Sequence, residues 1–171
     1  DLHRAPGMWF WPVTVVLAVT GVALAWPDDS REVVRLVSPV SERLDFELPD
    51  VAPVAHPIGI DRAIALGPPG GVDSVRPLSD KGVYAVRTFD PRDVDDQGRL
   101  WTYVAMADGR IVGQRHDVGD SAGDTFFAWQ YALHSGQAFG LVGRWLVFVG
   151  GVVTAMLCVT GVLLWARRRP R

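Results

Sequence analysis

Two of the four histidines, His3 and His134, stand at the edges of long apolar runs. A histidine near membrane depth is costly to keep and is a functional candidate by default. Its neutral imidazole is a natural axial ligand for haem iron. His3 is followed one turn later by Gly7 and two turns later by Phe10, which would share one helix face. A small residue beside a bulky one suits close packing of a flat macrocycle. His134 has Gly136 and Gly140 nearby, a GxxxG spacing that lets a ring or a second helix approach the backbone. Arg4 and Arg144 carry the charge that haem propionates would need. Each feature also has a plainer reading. A histidine beside an apolar run serves as an interfacial polar residue, GxxxG packs helices, and arginines anchor to lipid headgroups. Spacing alone leaves both readings open.

The elements that must position these residues are two hydrophobic helices. Residues 5–26 carry no charge, and neither do the 22 residues from Trp145 to Ala166. Either run can cross a hydrocarbon core of about 30 Å as a helix. Tryptophans 9, 11 and 26 flank the first run, as an aromatic belt would, and Pro12 in its second turn removes one backbone donor. The runs repeat one another: LAVTGVAL (17–24) aligns with LCVTGVLL (157–164), and Leu2-His3 echoes Leu133-His134. Histidine comes first in both copies, then Thr-Gly, then an aromatic exit. Consecutive spans cross in opposite directions, so the repeat is inverted and the histidines belong near opposite faces of the bilayer. Thr20 and Thr160 are expected to bond back to their own helices.

Charge divides the chain in the same way. Residues 27–124 hold 11 basic and 18 acidic residues, whereas the rest holds six basic and one acidic. That balance excludes a nucleic-acid binder, which needs a basic face. Arg4 and the tail Arg167–Arg171 favour cytoplasmic ends, with 27–124 on the other side. Ala25-Trp26-Pro27 is a poor cleavage site, which argues for a span rather than a signal peptide. Cys158, the single cysteine, lies inside the second run, where a buried thiol packs rather than reacts.

Between the spans, Pro27-Asp28-Asp29-Ser30 starts a short helix. Its Val33, Val34, Leu36 and Val37 form a stripe fit for a membrane surface, and Pro39 stops it. Residues 45–59 read as a proline-containing linker. The spacing then predicts a helix over 60–66 and strands over 72–77, 82–89, 100–107 and 110–116, with Asp108-Gly109 as a hairpin turn. Residues 90–99 read as an exposed loop whose Asp93, Asp95 and Asp96 do not match an EF-hand. His56 and His116 read as surface residues. The resulting organisation is a transmembrane helix (1–26), an interfacial helix and linker (27–59), an α+β module (60–118), an approach helix and transmembrane helix (125–166), and a basic tail (167–171).

Residues 1–9, DLHRAPGMW, with Thr20-Gly21, and residues 133–144, LHSGQAFGLVGR, with Thr160-Gly161 and Trp165-Ala-Arg-Arg, resemble the PepSY-associated transmembrane family. That family includes bacterial iron-regulated inner-membrane proteins and ferric-siderophore reductases. The resemblance implies a membrane α-helical fold whose two transmembrane helices flank a small extracytoplasmic PepSY-like α+β domain. It implies a longer protein with four spans, of which this chain would be the C-terminal half. It further implies b-type haems, each held between histidines of different helices. His3 matches the ligand motif at the cytoplasmic face and His134 the one at the periplasmic face. On opposite faces they cannot share an iron, so each would need a second histidine from an upstream half or another subunit. The expected role is transmembrane electron transfer to a periplasmic acceptor such as a ferric siderophore. The alternative is a non-catalytic, membrane-tethered module that docks a protein partner or restrains a peptidase.

Overall fold

The structure, a computed structural model, describes residues 3–167. Leu2 of the first Leu-His pair and Arg168, Arg169 and Arg171 of the expected basic tail lie outside the described residues. Contacts divide the chain into two compact units, residues 1–30 with 129–171, and residues 31–128.

The first unit is built on helices α1 (Arg4–Ala25) and α6 (Gly140–Arg167). Both are long and apolar enough to cross a membrane. Their outward faces carry exposed Trp9, Trp11, Val19, Trp145, Phe148 and Leu163, the surface that lipid rather than water would cover. They pack antiparallel through glycine. An added Cβ on Gly150 would meet Val13 at 3.0 Å, and one on Gly7 would meet Leu157 at 3.6 Å. Cys158 is exposed on α6 and does not pack in the protein interior, the role its setting in the sequence suggested.

The second unit is an antiparallel meander in the order β1-β2-β3-β4, comprising β1 (Val72–Leu78), β2 (Val83–Thr88), β3 (Leu100–Ala105) and β4 (Ile111–His116). Alternation along β2 and β3 makes two apolar faces. Tyr84, Val86, Val104 and Met106 pack with Ala63 of α4 (Ile60–Leu66). Val83, Ala85, Trp101 and Tyr103 pack under Leu44 and Leu48. The second cover comes from the stretch read as a linker, which contains a one-turn helix α3 (Leu44–Glu47). Its buried Asp45 accepts a hydrogen bond from the Tyr103 hydroxyl at 2.9 Å, and burial together with that bond raises the Tyr103 pKa. Helix α2 (Pro27–Arg35) precedes this stretch, and α5 (Ala122–His134) follows the sheet.

Two expectations are corrected here. The 90–99 loop is not simply solvated: the Asp93 and Asp95 side chains are 7% and 0% exposed. His116 is buried rather than on the surface. Their burial has one cause. Asp93 accepts from the Asp90 and Arg99 backbone amides (2.7 and 3.1 Å) and bonds His116 Nε2 at 3.0 Å, while Asp95 pairs with Arg99. The loop therefore folds inward over the end of β4, satisfying its charges internally. His56 is exposed, as expected.

Asp124 pins α5 to the segment before α3. It accepts from the Ser41 amide and hydroxyl, both at 2.8 Å, and pairs with Arg115 at 3.4 Å. Burial pushes its pKa up, but the Ser41 and Ser121 hydrogen bonds and Arg115 outweigh that and hold it below the ordinary carboxylate range. A carboxyl lowered in the folded state stabilises above its unfolded pKa and loses that contribution as pH falls through the folded value. Asp124→Asn should therefore cost about 1.5–3 kcal/mol at pH 7. The gap between wild type and variant should narrow progressively below about pH 4. Thermal midpoints of the two proteins across that pH range test it; a gap that does not depend on pH would contradict the assignment.

Candidate functional site

The repeated motifs meet, but across the copies. His3, at the N-cap of α1, places Nδ1 2.8 Å from Oγ1 of Thr160 near the end of α6. His134, the last residue of α5, places Nδ1 2.9 Å from Oγ1 of Thr20 near the end of α1. Each histidine thus pairs with the threonine of the other repeat. The two pairs lie at opposite ends of the helix pair, separated by 17 residues of α1, roughly 25 Å of helical rise.

The threonines also decide which way the hydrogen bonds run. Thr160 donates to the Met156 carbonyl at 2.8 Å, and Thr20 to the Val16 carbonyl at 2.7 Å. These are the back-bonds expected from the sequence. With its proton committed, each hydroxyl can only accept from the imidazole, so Nδ1 carries the hydrogen and Nε2 carries the lone pair. Among the described residues, Nε2 of His134 has no hydrogen-bond partner. The glycine after each threonine makes room for the ring. A Cβ on Gly21 would stand 3.3 Å from His134 Cε1, and one on Gly161 3.5 Å from His3 Cε1.

The approach to His134 departs from the expected geometry. Gly136 and Gly140 do not form a helical GxxxG face, because the chain breaks between α5 and α6. Gly136 has φ +76°, residues 137–139 form a 3₁₀ turn, and Gly140 has φ +57°. Both conformations suit glycine. A Cβ on Gly136 would overlap the Gly143 backbone, and one on Gly143 would overlap the Gly136 carbonyl. The longer spacing between His134 and its Thr-Gly is absorbed in this turn, which keeps the histidine level with Thr20. Gly143 was not singled out by sequence reasoning; its place in LVGR was the available signal.

A model of the PepSY-associated TM region matches residues 1–168. The chain belongs to that family. No curated protein matches it. The family match and the two candidate spans agree on a membrane protein with a small antiparallel sheet domain between its helices.

Whether this family member's residues suit haem turns on the donor set. An imidazole that donates through Nδ1 and keeps its lone pair on Nε2 is in the form that binds metal, and a fixed partner on the other nitrogen is the usual orienting device. Both histidines have such a fixed partner on Nδ1, one at each end. Gly7 faces Leu157, so its small size serves helix packing in this arrangement. Arg4 and Arg144 are exposed and lie next to His3 and at the start of α6 respectively. His56 and His116, the other two histidines, both belong to the sheet unit.

Proposed function

We propose that this chain is part of a haem b-dependent inner-membrane electron-transfer protein. The observation that carries the reading is the exchanged pair of His–Thr hydrogen bonds, which presents an oriented imidazole at each end of two antiparallel apolar helices. Haem iron would supply a one-electron couple at each end. His3 and His134 would each hold one iron; Arg4 and Arg144 would balance propionate charge; Gly136 and Gly140 would set the turn that delivers His134. A second ligand at each end would come from an upstream half of the same protein or from another subunit. Electrons would pass from the cytoplasmic to the periplasmic end and leave to an acceptor such as a ferric siderophore. A reduced-minus-oxidised spectrum of membranes containing the full-length protein tests this: b-type bands are expected. Their absence would favour a non-catalytic PepSY module that docks a protein partner.

The orientation belongs to the same proposal. Both termini face the cytoplasm and residues 27–124 lie outside, because Arg4 and the Arg167–Arg171 cluster bias the arginines that flank the spans toward the terminal ends. Reporter fusions within 90–99 and after Arg171 should report opposite compartments. A cytoplasmic signal from the loop fusion would reverse the assigned ends.

A further inference from the structure

Beside the sheet, and wholly within the second unit, lies a cavity of about 270 Å³ whose wall includes Arg31, Arg43, Arg99 and Arg115 against two carboxylates, Asp117 and Asp124. The acids are already committed. Asp124 serves Ser41 and Arg115, and Asp117 accepts from the Trp101 indole at 2.9 Å and stands 3.8 Å from Arg99. Arg99 is further neutralised from behind by Asp95. Arg31 and Arg43 remain as surplus charge. Arg31 lies 5.0 Å over the Phe127 ring and gives one N–H to the Ser41 carbonyl at 3.4 Å; among the described residues it has no acidic partner. Arg43 lies over Phe46 and Trp101, 5.3 and 5.5 Å from the ring centres, and its ion pair with Asp45 is long, at 3.7 Å.

We infer that this cavity binds a phosphate group, with Arg31 and Arg43 as its principal donors. A guanidinium has five N–H donors in a planar fork that matches phosphate oxygens bidentately, and these two spend few of theirs on the protein. Stacking on aromatic rings fixes the guanidinium planes in advance and reduces the ordering cost of binding. The phosphate could be free or belong to a lipid headgroup; Arg31 is only five residues after Trp26 at the end of the first span.

The test uses the full chain in a neutral detergent. Calorimetric titration with inorganic phosphate and native mass spectrometry with short-chain phosphatidylglycerol and phosphatidylcholine distinguish the two sources. Binding of free phosphate, or of either lipid in competition with phosphate, supports the site, provided Arg31→Gln/Arg43→Gln weakens it at least tenfold. Arg31→Lys/Arg43→Lys keeps the charge but loses the fork; it should bind with intermediate affinity and serves as the folded control if the glutamine pair misfolds. No binding by wild type, or equal binding by wild type and the lysine or glutamine variants, would overturn the inference.

Discussion

Replacing His3 or His134 with alanine in the full-length protein is expected to remove one haem each, and a different one each time. The two imidazoles are held at opposite ends of α1, by Thr160 and Thr20 respectively, with roughly 25 Å of helix between them. An iron–nitrogen bond is about 2 Å, so no single macrocycle reaches both. Losing either should still stop transmembrane reduction completely, because electrons would need both stations. Haem per protein, measured in each purified variant, should fall by one and leave the remaining bands unshifted. Loss of both haems from a folded single variant, or of neither, would end the two-site reading.

The second large effect is expected at Gly136. Its positive φ costs a residue with a side chain about 1–2 kcal/mol, and the added Cβ would also run into the Gly143 backbone, which cannot move aside like a flexible side chain. Gly136→Ala should therefore open the turn between α5 and α6 and draw His134 away from Thr20. The expected phenotype is asymmetric: the His134 haem is lost or becomes high-spin, while the His3 haem is retained. Gly140→Ala is the informative partner, since it too has positive φ but nothing stands within 4 Å of the added carbon. It should be the milder of the two. Equal effects, or full retention of both haems in Gly136→Ala, would show that the turn does not position the histidine.

The apolar runs, their repeat and the sheet were legible in the sequence, because hydrophobic periodicity and turn chemistry are local signals. The helix over 60–66 and all four strands lie where β-formers and Asp108-Gly109 placed them. What escaped were contacts between distant segments. Leu44 and Leu48 look like linker residues until the sheet face they cover exists. His116 and Asp93 look solvated one by one, and are buried because each satisfies the other. At the candidate site the histidines and threonines are both visible in the sequence, but their partnership is not. Each threonine's back-bond to its own helix was the local expectation. That it also accepts from the histidine of the other repeat depends on antiparallel packing and on the turn at Gly136, neither of which a single helix encodes.

The exchanged pairs carry the two-site assignment, and a redox titration of the two threonine variants tests them. Thr20→Val and Thr160→Val remove the acceptor for one imidazole each, which lowers that ligand's basicity and weakens its hold on ferric iron. Wild type should titrate as two one-electron components. Thr20→Val should raise the midpoint of one and Thr160→Val the midpoint of the other, with the untouched component unchanged in each case. Two unmoved components, or both components moved by one substitution, would contradict the assignment of His134 to Thr20 and of His3 to Thr160.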